Sequence, residues 1–233
     1  MIRTIVWFAY FWISLIGLMP ALFKANKMTE DEKVEFADQK ARQWTTQLLK
    51  LAGCKVEITG LENIPKDTAV LYVCNHQSNF DIPLAISYLP KTKGFIAKIE
   101  LLKMPFVRDW MKHMKCIFMD RSDIRQQVKG ISQGVTFLKE GQSLVIFPEG
   151  TRSPDGEVKS FKPGGLKLAT KSGVPIVPVT IKNSKNIMKK GSMLIKPATV
   201  EVIISEPIEI NREMNKETVA LAETVKSTIM SQL

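Results

Sequence analysis

The sequence predicts an α/β protein whose mixed, largely parallel sheet is flanked by helices. Two observations support this class. Apolar, β-favouring runs alternate with segments whose apolar residues recur at helical spacing, which is typical of strands joined by helical crossovers. Glycines and prolines separate these segments, and no repeat or low-complexity tract interrupts them. A hydrophobic and amphipathic stretch precedes the alternation and is predicted to be an N-terminal helical membrane anchor.

The anchor is predicted to occupy residues 1–52, and a single domain to occupy residues 53–233. Residues 5–23 contain no charge, and five aromatic residues cluster between Trp7 and Trp12, as suits a headgroup boundary. Three arrangements remain open: a spanning helix, a segment lying in the membrane interface, and a hydrophobic hairpin arm that bends near Pro20.

The stretch from Thr29 to Leu51 is predicted to be an amphipathic helix. Thr29 and Glu32 have the spacing of a capping box, and apolar residues then recur on one face. This face could lie on the membrane beside the first segment or cover the sheet. Adjacency to the hydrophobic segment favours the membrane.

The domain is predicted to contain seven strands and six helical segments. Ser122 is the expected N-cap of one helix and Gly141 its end, while Asp81 with Pro83 marks the start of another. The predicted strands are 55–61, 68–74, 94–98, 115–119, 143–147, 174–181 and 199–204. The predicted helical segments are 81–88, 99–102, 106–114, 124–138, 163–171 and 216–233.

The charge is uneven along the chain. Overall, 33 basic residues face 23 acidic ones, a net charge of +10. Residues 91–129 carry ten basic and four acidic side chains, and residues 152–196 carry ten and two. A basic middle region predicts an anionic partner: a membrane surface, a phosphorylated substrate or nucleic acid. The three scattered cysteines predict reduced, buried thiols and a body on the cytosolic side of a membrane.

His76 and Asp81 flank a loop predicted to follow a buried strand and precede a helix. Ligand crevices of open α/β sheets lie at such strand ends. A carboxylate that accepts from one imidazole nitrogen leaves the other free to take a proton, so the pair predicts an oriented general base. An ordinary surface histidine remains the alternative. No metal site is predicted, because no Cys-x-x-Cys pair or second nearby histidine accompanies His76.

A second loop, residues 148–153, follows the predicted strand 143–147. Gly150 allows close backbone approach to a ligand, Thr151 can hydrogen-bond phosphate, and Arg152 can bind it with two donors. Glu149 could orient Arg152 or a substrate hydroxyl. An ordinary turn is the alternative. Nucleotide-binding glycine loops are absent from the sequence, so nucleotide hydrolysis and dinucleotide binding are not supported.

Together the blocks 75–81, 98–121, 147–153 and 174–178 resemble the four ordered blocks of the glycerolipid acyltransferase family. Within the family, the chain is most similar to the bacterial 1-acyl-sn-glycerol-3-phosphate acyltransferases. The resemblance covers residues 70–179, and the His-x4-Asp and Pro-Glu-Gly-Thr-Arg blocks carry it. One departure is Arg108, which stands where the second block usually has glycine.

The resemblance implies a role for each block. His76 is the expected catalytic base and Asp81 its orienting partner. The block at 174–178 is linked to the acyl side. The residues implied in binding the phosphate and glycerol of the acceptor are Lys98, Arg121, Glu149, Gly150, Thr151 and Arg152.

The resemblance also implies the partners. The acceptor is lysophosphatidic acid, the donor is acyl-CoA or acyl carrier protein, and the product is phosphatidic acid for phospholipid biosynthesis. No cofactor is expected, and the protein would lie on the cytoplasmic side of the inner membrane. A non-catalytic lipid-binding protein and a thioesterase using the same His–Asp pair are the competing classes. A nucleic-acid partner is not expected, because the sequence has no recognition motif for one.

Overall fold

The computed structural model describes residues 1–153, 156–211, 214 and 217–233. The helices in this part of the chain are α1 (Ile2–Gly17), α2 (Met19–Ala25), α3 (Glu30–Ala52), α4 (Asp81–Tyr88), α5 (Val107–His113), α6 (Ile124–Lys139), α7 (Lys167–Ser172) and α8 (Thr218–Met230). The strands are β1 (Cys54–Thr59), β2 (Leu71–Cys74), β3 (Lys93–Lys98), β4 (Ile117–Met119), β5 (Ser143–Ile146), β6 (Ile176–Lys182) and β7 (Ala198–Ile204). Short 3₁₀ turns lie at Leu61–Asn63, Ile99–Lys103, Pro163–Leu166 and Ser184–Asn186.

The seven strands form one sheet in the order β1-β7-β6-β2-β5-β3-β4. All neighbouring pairs are parallel except β6 with β7. The predicted mixed, largely parallel sheet is therefore confirmed. Because β2, β5, β3 and β4 run in the same direction, the loops that follow them leave from one edge of the sheet.

Each face of the sheet carries its own hydrophobic core. Tyr72 and Cys74 of β2 pack into the core that α1, α3, α4 and α5 cover, whereas Leu71 and Val73 pack into the core that α6, α7 and α8 cover. These four residues are fully buried. A central strand that is buried on both faces explains the continuous apolar run in the sequence.

Helix α3 covers the body of the protein. Its predicted capping box is present, since Thr29 and Glu32 exchange hydrogen bonds at its start. The apolar face buries Ala37, Leu48 and Leu49 and packs against α4, α1 and β1. Of the two placements predicted for this face, the favoured one, on the membrane, is wrong, because the protein body already buries it.

Helices α1 and α2 present one face to the body and one to the outside. The Trp7 indole N–H donates to the Leu48 carbonyl at 2.8 Å, and its ring lies 5.4 Å from that of Phe80. The hydrophobic core runs without interruption from these helices into the sheet. The outer face exposes a stripe of large apolar side chains: Ile2, Ile5, Val6, Trp12, Ile13, Ile16 and Phe23. By length and composition alone, residues 2–25 could cross a membrane.

The N-caps of two helices differ from the sequence predictions. Asp123 rather than Ser122 caps α6, because its carboxylate accepts from the first free N–H groups of the helix. Phe80 is the N-cap of α4, and Asp81 is the first helical residue with its carboxylate turned back toward the preceding loop. The last helix was predicted from Lys216, which lies outside the described residues.

Candidate active site

The loop that carries His76 is fixed at its first residue. Asn75 follows β2, and its side chain makes two hydrogen bonds with the backbone of Ile181 on β6, at 2.9 Å and 2.7 Å. The amide therefore replaces the ladder hydrogen bonds that end with β2 and sets the direction in which the loop leaves the sheet. Sequence reasoning gave Asn75 no role, because its partner lies 106 residues away.

The Asp81 carboxylate organises the loop. It is completely buried, and its Oδ2 accepts from the backbone N–H groups of Gln77 and Ser78 at 2.7 Å and 2.8 Å. The same oxygen lies 2.7 Å from Nδ1 of His76. Since an ionised carboxylate only accepts hydrogen bonds, Nδ1 carries the proton and Nε2 of His76 is left with a free lone pair.

The His76 ring is held on its flat side as well. It stacks on the ring of Phe147, with 4.3 Å between the ring centroids and 27° between the planes. Phe147 follows β5, so the stacking joins the ends of two neighbouring parallel strands. The side chain keeps 15% of its surface exposed, so the imidazole remains open to solvent.

Glu149 ties the two loops together. It is 4% exposed, and its Oε1 accepts from the backbone N–H of His76 at 2.7 Å. Its Oε2 accepts from the Ser153 hydroxyl and from the backbone N–H of Lys159. The alternative that Glu149 orients Arg152 is not seen, since no hydrogen bond or ion pair joins them in the described part of the chain.

Of the basic residues outside the second loop that were predicted to bind phosphate, Arg121 reaches this loop. Arg121, which follows β4, donates to the carbonyl of Gly150. The arginine is exposed overall; partial desolvation by the surrounding loops lowers the pKa of its guanidinium, and nearby Glu100 opposes that shift. Lys98 ends β3 and is exposed, and no described residue makes a hydrogen bond or ion pair with its side chain. Thr151 is exposed and Arg152 half-buried.

Comparison with known proteins identifies the family. A family model described as Acyltransferase matches residues 55–182, which include both loops. The chain belongs to the acyltransferase family. The probable 1-acyl-sn-glycerol-3-phosphate acyltransferase of Mycoplasma pneumoniae is 35% identical over 210 residues, covering 85% of this chain and 78% of that protein.

Two further relatives extend the comparison. The chloroplastic 1-acyl-sn-glycerol-3-phosphate acyltransferase LPAT1 of Arabidopsis thaliana is 42% identical over 156 residues, covering 66% of this chain. The matched region covers only 44% of the length of LPAT1, which is the longer protein. The crystal structure of the 1-acyl-sn-glycerophosphate acyltransferase PlsC from Thermotoga maritima superimposes with a TM-score of 0.80 at 30% identity, over 99% of this chain and 95% of that one.

Arg108, the departure from the family pattern, braces the loop after β3. Its guanidinium donates to the Leu102 carbonyl at 3.3 Å and pairs with Asp109 at 3.3 Å. Just before it, Phe106 has a φ of 64°, a backbone conformation that is uncommon for residues other than glycine. The Arg108 side chain thus links the end of this loop to Leu102 near its start.

Lys162 borders the second loop, a proximity that the sequence did not reveal. A Cβ built on Gly150 would lie 3.3 Å from Lys162 Nζ and 3.4 Å from Arg121 Nη1. Gly150 has a φ of 74°. Its missing side chain therefore leaves a space that two cations border. Lys162 stands twelve residues further along the chain, so only the fold shows that they meet.

The cysteines of this acyltransferase lie in apolar surroundings. Burial raises the pKa of Cys116 to about 12 and that of Cys54 to about 11, and it raises the pKa of Cys74 further. None is a thiolate at neutral pH. Within the described ranges, no group of three or more metal-ligating side chains could hold a metal ion.

Proposed function

We propose that this acyltransferase moves a fatty acyl group from an acyl thioester to the 2-hydroxyl of 1-acylglycerol-3-phosphate, which yields phosphatidic acid. The observation that carries the proposal is the His76–Asp81 pair, which is hydrogen-bonded through the His76 backbone to the loop where Arg121 and Lys162 approach Gly150. The relatives named above act, by their names, on the same acceptor.

The proposed reaction starts with His76 as general base. Nε2 takes the proton of the acceptor 2-hydroxyl as the oxygen attacks the thioester carbonyl, which gives a tetrahedral oxyanion and an imidazolium. Asp81 stabilises the imidazolium through Nδ1–H. Collapse breaks the carbon–sulfur bond, and the departing thiolate takes the proton from Nε2. General-base assistance of this kind contributes about 10² to 10⁴ in rate.

Transfer is direct in this proposal, because the nearby nucleophiles are occupied or buried. The Ser78 hydroxyl donates to the Met188 carbonyl at 3.2 Å, and the Ser153 hydroxyl donates to Glu149. Cys74 is a buried neutral thiol. An acyl-enzyme would need one of these groups to leave its partner or to ionise. Direct attack by the acceptor oxygen needs neither, and it needs no cofactor.

The cationic surroundings of the second loop support binding of the acceptor. Arg121 and Arg152 would contact its phosphate, and Lys98 would add positive charge from the neighbouring strand end. Gly150 and Thr151 let the phosphate approach the backbone and a hydroxyl. Glu149 positions this loop against His76 and does not itself need to touch substrate.

The outer stripe of α1 and α2 supports membrane association. Trp7 and Leu15 pack on the body, while Ile5, Ile13 and Ile16 are exposed. A helix with one face fixed to the protein and one apolar face open suits insertion into a single leaflet better than spanning. We place the body on the cytoplasmic side of the inner membrane, where buried thiols stay reduced and acyl-CoA or acyl carrier protein delivers the thioester.

A two-substrate assay in mixed micelles tests the proposal. The full chain is incubated with acyl-CoA or acyl carrier protein thioester, with and without 1-acylglycerol-3-phosphate, while free thiol and phosphatidic acid are measured. We expect the two products in equal amounts and only with acceptor. Thiol release without acceptor would indicate a thioesterase, and no release with either donor would leave a lipid-binding protein.

A further inference from the structure

Lys162 is held in place by its backbone. Its N–H donates to the Pro148 carbonyl at 3.0 Å, so residue 162 runs beside the second loop. The preceding Phe161 is buried, and Pro163 opens a 3₁₀ turn directly after it. The side chain is exposed, and no described residue offers it a hydrogen bond or an ion pair. A lysine that is anchored at its backbone and unpartnered at its ammonium can reach a ligand at Gly150.

Two positive groups converge on Gly150; Glu100 lies near Arg121, and no described acid pairs with Lys162. Lys162 Nζ and Arg121 Nη1 approach the same empty Cβ position within 3.3 Å and 3.4 Å. Glu149, the acid next in the chain, is occupied by His76, Ser153 and Lys159. Two like charges that border one space repel each other, and an anion in that space would remove the repulsion. The geometry therefore describes an anion site of two or more positive charges.

The number of positive charges indicates which phosphate fits. A phosphomonoester carries a charge close to −2 at neutral pH, whereas a phosphodiester carries −1 and has one oxygen fewer to offer. Arg121 and Lys162 are the two cations nearest to the space at Gly150, and their two charges match the monoester there. A diester headgroup would leave one cation unpaired beside the loop and would have to fit its second substituent against Gly150.

We infer that Lys162 is an acceptor-binding residue that, with Arg121, selects a terminal phosphomonoester over phosphodiester lysolipids. The inference rests on the proposed function and adds to it the residue that discriminates between acceptor classes. Lys162 acts on binding of the acceptor and takes no part in proton transfer.

Steady-state kinetics of Lys162→Gln test the inference, with Lys167→Gln as the matched control. Lys167 is also exposed and loses the same charge, but it lies on α7. Losing a charge-assisted hydrogen bond should raise KM for 1-acylglycerol-3-phosphate about ten- to a hundredfold. The kcat should change less than about threefold. Lys162→Arg should keep most of the affinity.

A second acceptor makes the test specific. Activity with 1-acylglycerol-3-phosphoglycerol, a phosphodiester, should change less than about threefold in Lys162→Gln, since this acceptor does not use the full site. Equal KM values for Lys162→Gln and Lys167→Gln, at unchanged melting temperature, would overturn the inference. An inactive wild-type chain with both acceptors would instead overturn the proposed function.

If Lys162→Gln does not fold, Lys162→Met can replace it, and inhibition by inorganic phosphate tests the same site. Phosphate should inhibit the wild type at about tenfold lower concentration than a folded variant without the Lys162 charge. Equal inhibition of both would again count against the site.

Discussion

For Asp81→Asn, the structure predicts the effects on the His76 tautomer, on stability and on rate. Three donors converge on one oxygen of Asp81: Nδ1 of His76 and the backbone N–H groups of Gln77 and Ser78. The asparagine must keep its oxygen at this point, because an amide N–H₂ there would face three donors. The His76 tautomer is therefore preserved, and only the negative charge is lost.

The other carboxylate oxygen sets the cost in stability. Oδ1 of Asp81 is buried without a hydrogen-bond partner among the described residues. In Asp81→Asn the amide nitrogen takes this position and becomes an unsatisfied buried donor, which costs about 1–3 kcal/mol of unfolding free energy. Asp81→Ala would leave both backbone N–H groups unsatisfied, for about 2–6 kcal/mol. The asparagine variant is therefore the informative one.

The loss in rate follows from the imidazolium. His76 becomes positively charged during proton transfer, and the buried carboxylate at 2.7 Å stabilises that charge. Without it, we expect kcat to fall by about 10² to 10³, within the contribution of a general base. The assay is single-turnover thiol release from acyl-CoA with saturating 1-acylglycerol-3-phosphate, alongside urea unfolding of each variant.

A double variant separates a role through His76 from an independent one. Because Asp81 acts on the reaction only through the imidazole, Asp81→Asn combined with His76→Ala should be no slower than His76→Ala alone. Rates that multiply in the double variant, or an Asp81→Asn rate within about threefold of wild type, would refute the reasoning.

Three further predictions concern the loops, the core and the membrane face. In Glu149→Gln, both side-chain ends of the glutamine face hydrogen-bond donors, so its amide N–H₂ group is left unsatisfied. We expect the unfolding free energy measured with urea to fall by about 1–3 kcal/mol and kcat to fall as well. If neither value changes, Glu149 does not bridge the two loops. Lys93 is 1% exposed and pairs with Asp38 at 3.2 Å, and burial lowers its pKa from 10.5 to about 8. Between pH 8 and pH 10.5 the unfolded chain thus binds more protons than the folded one. The unfolding free energy of wild type relative to Lys93→Met should therefore rise by roughly 3 kcal/mol from pH 8 to 10.5. A free-energy difference that does not change with pH would contradict the lowered pKa of Lys93. Ile5→Glu with Ile13→Glu should weaken binding to anionic vesicles more than about tenfold, whereas Val219→Glu, equally exposed on α8, should not; equal losses would argue against a docking face on α1.

The sequence predicted the edge of the sheet where the site lies, because two apolar runs each end in a polar loop. Parallel strands bring such loops together, so His76 and Gly150 could be expected to be neighbours before any coordinates. The five-residue separation of His76 and Asp81 likewise suffices for contact across one tight loop.

Other features needed the fold. An amphipathic face has the same pattern whether it packs on a bilayer or on a sheet, so the sequence could not decide where α3 lies. Asp81 has the residue type of an N-cap, yet the backbone turns its carboxylate toward Gln77 and Ser78. Lys162 has no sequence signal, since it reaches Gly150 only through the hydrogen bond of its backbone to Pro148.

Single-turnover transfer by His76→Ala tests the central claim most directly. The variant must have the same melting temperature as wild type. Both proteins are given acyl-CoA and 1-acylglycerol-3-phosphate, and the phosphatidic acid formed is quantified. We predict that the variant still binds the acceptor but forms product at least about 10²-fold more slowly. Phosphatidic acid formed at the wild-type rate would contradict the assignment of His76 as the base.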